Sequence, residues 1–218
     1  MINITGMKKI ITTILAASMM LIGTTAFAQA SIGAGYLNST MKTTVGNNVS
    51  SMPSNGFYVG GDYTISEGLG FGISVGAYYS YITSKSSTST SIFGINIGAS
   101  SKVEEMYIDM PVHFNYSVGI SPSTTAFVYA GPTFSCGISS TTEFSASVGS
   151  IGGNTGKNDN YADGEYTRFD ILVGGGAGLD FGKLRLTVGY DLGMLNRYPA
   201  DNYAQKRNVL HAGIGFVF

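Results

Sequence analysis

The feature that most constrains this chain is a strict two-residue alternation that recurs along most of its length. Between Leu69 and Tyr81 the odd positions are Leu69, Phe71, Ile73, Val75, Ala77, Tyr79 and Tyr81, while the even ones are glycine, serine and Tyr78. The last stretch repeats it: Leu210, Ala212, Ile214, Phe216 and Phe218 alternate with His211, Gly213, Gly215 and Val217. Successive side chains of a strand point to opposite faces, so each segment has one apolar face and one small or polar face. A helix would space its apolar residues three and four apart.

Eight segments read this way: Ser31–Thr40, Gly56–Ile65, Leu69–Thr83, about Val103–Val118, about Thr125–Ile138, Gly164–Phe181, Leu184–Met194 and Asn208–Phe218. Long polar stretches, Lys42–Asn55, Ser84–Lys102 and Ser139–Asp163, alternate with tight turns at Ser66-Glu67-Gly68, Gly119–Thr124 and Gly182-Lys183, before a medium loop at Pro199–Lys206. Phe93, Ile95 and Ile97 have the opposite parity to Met106–Tyr116. Ser84–Lys102 therefore reads as an arm or bulge rather than continuous strand. Pro132 cannot donate to a ladder and calls for a bulge or an unpaired position. A ten-strand variant using Phe93–Ile97 and Phe144–Val148 remains open.

Charge decides which way the apolar face looks. The minority face carries Asp62, Glu105, Asp109, His113, Arg168, Asp170, Asp180, Arg185, Asp191, Arg197 and His211. Charged residues are only 11% of the chain, against roughly 25% in soluble domains. A soluble sandwich would put charge outside and far more of it. Apolar residues facing lipid around a polar or ion-paired lumen fit instead, and long-short alternation of connections is that of membrane barrels. The expected fold is all-β: an eight-stranded antiparallel up-and-down transmembrane β-barrel, residues 31–218, after a cleaved signal peptide, residues 1–30.

The leader is read from Lys8 and Lys9, the apolar run Ile10–Ile22, and small residues at Ala26, Ala28 and Ala30, with an effective start at Met7 and cleavage after Ala28 or Ala30. The run is too short for a spanning helix, which needs about 20 residues. Without Lys8 and Lys9 there are 10 basic and 13 acidic side chains, a balance with no footprint for nucleic acid. The single cysteine, Cys136, excludes an internal disulfide and reads as a small apolar residue on a strand face.

Tyr107-Ile-Asp-Met-Pro-Val-His-Phe114, Tyr129-Ala-Gly-Pro132, Arg168-Phe-Asp170 with Gly174-Gly-Gly-Ala-Gly-Leu179, and a closing strand ending in Phe218 resemble the outer-membrane β-barrel domain, or "porin family protein", group of Gram-negative bacteria, PorT-like in the broad sense. The resemblance covers essentially the whole mature chain. It implies location in the cell outer membrane and insertion by the barrel-assembly machinery, which would recognise the strand bearing Leu210, Ala212, Ile214, Phe216 and Phe218. It implies no particular activity. With no Trp, the tyrosines and phenylalanines must supply any interfacial girdle.

The remaining chemistry points away from catalysis. Gly174-Gly-Gly-Ala-Gly178 is followed by a strand where a dinucleotide fingerprint needs a helix, so these glycines leave room inside a wall and no cofactor is expected. His113 and His211 have lumen parity but no associated nucleophile or metal-ligand spacing, and hydrogen bonding to Asp109 or Asp191 is the expected role. Eight strands leave an interior just wide enough for side chains. The expectation is a non-enzymatic barrel with a structural or surface-interaction role, its external loops facing an unidentified ligand. A narrow passive channel is the alternative, and a lipid-modifying enzyme a third reading.

Overall fold

The structure is a computed structural model that describes residues 28–66, 69–92, 95–148, 151–162, 166–198 and 203–218. Residues 1–27 of the leader read over 1–30, and the Ser66-Glu67-Gly68 turn beyond Ser66, lie outside the described residues. Nine strands follow one another: β1 (Ala28–Val45), β2 (Asn48–Ser66), β3 (Phe71–Ile92), β4 (Ile95–Ser121), β5 (Thr124–Val148), β6 (Ile151–Asp159), β7 (Phe169–Phe181), β8 (Leu184–Gly193) and β9 (Tyr203–Val217). All pairings are antiparallel, and β1–β9 and β4–β5 pairs close a ring of eight strands. The ninth, β6, folds back on the end of β5 and stays outside the ring. The ten-strand alternative is thereby excluded for the ring.

Alternation places the apolar set outward. On β9 and at Phe218 just after it, Leu210, Ile214, Phe216 and Phe218 are 44%, 55%, 43% and 62% exposed, and Val217 between the last two is buried. The same holds for Phe71, Ile73 and Val75 on β3 and for Leu184, Leu186, Val188, Tyr190 and Leu192 on β8. The result is a belt of exposed apolar residues around the ring, with aromatics at its margins. Phe57 and Tyr81 meet at 5.6 Å near one end and Phe71 and Tyr116 at 4.8 Å near the other. A soluble protein would not leave such a band in water; a bilayer needs one.

Two short turns, with both described chain ends, lie at one end of the ring. At Gly182, φ is +59°, the left-handed conformation of a tight hairpin. Ala30 C=O accepts from Phe218 N–H at 2.9 Å, and Gln29 Oε1 accepts from Arg185 Nη2 at 3.2 Å. Of the two expected cleavage points, the one after Ala28 keeps both contacts.

The opposite end departs from the sequence reading. Ser84–Lys102 is no arm or bulge: β3 and β4 stay in one register from Phe71↔Tyr116 to Ile92↔Ile95. Parity misled there because above the belt both faces meet water, and nothing selects an apolar side. Lys42–Asn55 is likewise a hairpin, turning at Gly46-Asn47 with φ +58° at Gly46. Ser139–Asp163 contains the end of β5 and all of β6. The loop expected over Pro199–Lys206 gives way to β9 at Tyr203. Pro132 pairs with Val173 without a register shift, and pairing with β4 lapses between Pro111↔Thr133 and Phe114↔Ala130, so the unpaired position, not a bulge, accommodates it. Register shifts fall instead at Met106/Tyr107 and Gly119/Ser121 of β4 and at Ser145/Ser147 of β5.

Candidate functional site: the barrel interior

The interior is layered. At the long-hairpin end Arg197 reaches in from the segment after β8, held by Arg197 N–H to Gln205 C=O (2.9 Å) and Thr167 N–H to Arg197 C=O (2.8 Å). Its guanidinium is 1% exposed, donates to Glu105 Oε1 at 3.0 Å and to Tyr161 Oη at 3.5 Å, and lies 5.4 Å from the Tyr107 ring. Arg207, 1% exposed, stacks on the other part of this group, 3.9 Å from the Tyr107 ring. It donates to Ser135 Oγ at 2.7 Å and to Asp109 Oδ1 at 3.4 Å. Ser80 and Ser135 hydroxyls also donate to Asp109. Below this layer Leu37, Ile82, Tyr107, Leu172 and Val209 form a compact apolar cluster with Tyr58 against it. Asp170 on β7 is 2% exposed.

From that cluster to the short-turn end runs a cavity of about 320 Å³, with Leu37, Leu172 and Val209 at its head and Gln29, Thr64, Ser117 and Thr125 at its mouth. Arg185 sits near the mouth, donating to Asp180 through Nε (2.8 Å) and Nη2 (2.9 Å), 3.5 Å from Asp62 and 4.8 Å from the Phe127 ring. Asp62 further accepts from Ser31 (2.8 Å) and Tyr78 (2.6 Å). Deeper in, Tyr129 Oη and His211 Nε2 are 2.8 Å apart, His211 Nδ1 is 3.5 Å from Asp191 Oδ2, and the His113 ring stacks on Tyr129 at 4.9 Å.

Wall glycines make room for these groups. A Cβ at Gly189 would lie 2.4 Å from both His211 Nε2 and Tyr129 Oη, one at Gly213 2.0 Å from Tyr58 Oη, and one at Gly176 2.4 Å from Tyr129 Oη. Gly174 and Gly178 do the same for Asp191 and Phe127. The run Gly174-Gly-Gly-Ala-Gly178 is thus a wall thinned for lumen side chains, with no helix after it to cradle a phosphate.

Of the residues read as a lumen network, Asp62, Asp109, His113, Asp180, Arg185, Asp191 and His211 line the cavity, while Glu105, Asp170 and Arg197 are buried in the layers above. Arg168 is a correction. It is exposed, lies before β7 begins, donates to the Gly137 and Ile138 carbonyls at 3.3 and 3.1 Å, and covers the Tyr161 ring at 4.3 Å. Its parity with Asp170 carried no information because strand alternation does not extend to it. No group of three or more His, Cys, Asp or Glu able to hold a metal occurs among the described residues.

A family profile described as "Outer membrane protein beta-barrel domain" matches residues 25–196. The chain belongs to this family. Solved structures to which the chain is similar include Ail, the attachment invasion locus protein of Yersinia pestis, at 16% identity and TM-score 0.38, covering 88% of this chain and 99% of that one. Neisserial surface protein A is at 12% and 0.38, covering 88% and 98%. The translocator domain of the autotransporter NalP from Neisseria meningitidis is at 10% and 0.30, covering 97% and 96%. No curated protein sequence matches.

This outer-membrane barrel therefore sits with its apolar belt in lipid, and barrels of this kind hold short turns on the periplasmic side and long hairpins outside. Sequence reading missed two residues buried at the outer end. Arg207 was legible: counting back from His211 in steps of two gives Val209, Arg207 and Gln205, all buried at 7%, 1% and 8%. Tyr161, 6% exposed, enters from the turn after β6, and no local pattern marks it. Just above the belt, hydrogen bonds from Lys102 and then Tyr81 hold the Glu104 carboxyl below its usual range.

Proposed function

We propose that the barrel is a sealed, non-enzymatic anchor that presents an extended strand platform at the cell surface to an extracellular partner. One observation carries this reading. β2 and β3 pair only from Asn55↔Thr83 to Ser66↔Gly72, while β2 continues up β1 to Asn48 and β3 continues up β4 to Ile92. Asn48–Ser54 and Ser84–Ile92 thus stand outside with one edge each free of the neighbouring strand. Such edges present rows of backbone donors and acceptors, which proteins ordinarily protect. Pro53 and Lys85 are the protections this chain carries, against self-pairing, and its Ser/Thr side chains suit adaptable hydrogen bonding. Export through the leader, and recognition of the strand bearing Leu210, Ala212, Ile214, Phe216 and Phe218 by the barrel-assembly machinery, complete the proposal.

The test replaces residues 88–99 by Asn-Gly, joining Ser87 and Ser100, which already face each other, through a two-residue hairpin turn. Cells displaying the full chain should bind immobilised extracellular-matrix or serum proteins, and cells displaying the shortened, folded barrel should lose that binding. Equal binding by both, or binding by neither, contradicts the surface role.

A further inference from the structure

We infer that the periplasm-facing cavity is a binding site for a small organic cation, an alkylammonium group held between Asp191 and the rings of Tyr58, Tyr129, His113 and His211. The inference is independent of the external hairpins.

Charge is the first ground. Four carboxylates line the cavity, Asp62, Asp109, Asp180 and Asp191, against two guanidiniums, Arg185 and Arg207. In a narrow interior surrounded by lipid, uncompensated charge of one sign is costly and draws a counter-charge. The deficit can be located. Asp62 and Asp180 are engaged by Arg185, and Asp109 by Arg207 and two serines. Asp191 has only His211 at 3.5 Å, its side chain is 9% exposed, and its Oδ1 has no hydrogen-bond donor among the described residues.

The rings supply the second ground. Elsewhere in the interior, aromatic faces are already covered by the protein's own cations: Phe127 by Arg185, and Tyr107 by Arg197 and Arg207. Tyr58 and Tyr129 carry no such cover among the described residues, yet they line the cavity beside Asp191. Tyr58 stands edge-on to His211 at 6.2 Å, and Tyr129 lies against the His113 ring at 4.9 Å and meets His211 end-on, its Oη 2.8 Å from Nε2. A carboxylate beside several ring faces is the arrangement that recognises alkylated ammonium groups. The glycines at 176, 189 and 213 exist in the wall at the positions where a side chain would displace these rings.

Size and ligand count then choose among cations. About 320 Å³ is at the small end of organic-ligand sites. A hard metal ion needs six or more oxygen ligands, whereas no metal-holding cluster occurs among the described residues.

The test is isothermal titration of the refolded full mature chain in detergent with tetramethylammonium chloride and, separately, potassium chloride, at constant ionic strength. Saturable tetramethylammonium binding is expected, at least about tenfold tighter than potassium, as one or two cation–π contacts supply. Asp191→Asn and Tyr129→Leu should each weaken it by about tenfold or more. Equal affinity for the two ions overturns the proposal, as does absence of saturable binding or unchanged binding in Asp191→Asn. Should a variant fail to show the heat-modifiable mobility of a folded barrel, the tetramethylammonium-to-potassium ratio of the unaltered protein decides alone.

Discussion

Glu105→Ala is expected to cost the barrel about 3–5 kcal/mol, the penalty for removing one partner of a buried ion pair. The Arg197 guanidinium is 1% exposed, and Glu105 is its only carboxylate partner among the described residues. With Glu105 gone, it keeps Tyr161 Oη at 3.5 Å, Met41 Sδ at 3.8 Å and the Tyr107 ring at 5.4 Å. None of these neutralises the charge. The loss should read out as a lower urea midpoint for conversion of the compact gel band to the unfolded one. Replacing both partners by apolar residues, Glu105→Leu with Arg197→Met, should recover most of it, because no charge is then stranded. A Glu105→Ala barrel within about 1 kcal/mol of the original would show that water reaches Arg197 and that the outer mouth is open.

The second large effect is expected in the wall. Gly174→Val places a Cβ 2.2 Å from the Tyr190 carbonyl oxygen, 2.2 Å from Asp191 Oδ1 and 2.6 Å from Asp191 Cα. Two of these atoms are backbone, so β7 and β8 must part, and no rotamer relieves the clash. Overpacking of this kind costs about 1–3 kcal/mol at one site. Combined with Gly176→Val, whose Cβ would meet the Val188 carbonyl oxygen at 2.2 Å, it should prevent formation of the compact band altogether. Gly119→Val is the control, since nothing lies within 4 Å of its Cβ; it should stay within about 0.5 kcal/mol of the parent. A fully folded double variant would mean that these glycines are not required by close approach.

Within the belt, period-two parity located nearly every interior residue, because lipid on one side and a packed lumen on the other make a one-residue slip intolerable. Asp62, Asp109, Asp180, Arg185, Asp191 and His211 could be placed for that reason. Beyond the belt the constraint vanishes, so the extension of β3 and β4 to Ile92 and Ile95 read as an arm, and Arg168 read as interior. Arg207 shares that parity, but it lies between the polar stretch Pro199–Lys206, which reads as a loop, and the strand that reads from Asn208. Tyr161 could not be found at all, since its place depends on a turn folding back over Gly137, whose missing side chain leaves room for the phenol.

Arg197, Arg207 and Tyr161, above the cluster of Leu37, Ile82, Tyr107, Leu172 and Val209, are proposed to close the outer half of the lumen. Planar-bilayer recording of the refolded mature chain tests this closure most directly. The folded barrel should give no unitary current steps, since eight strands leave little more than room for their own side chains. Reproducible unitary steps from the unaltered protein would contradict it and make the cavity the inner half of a continuous pore.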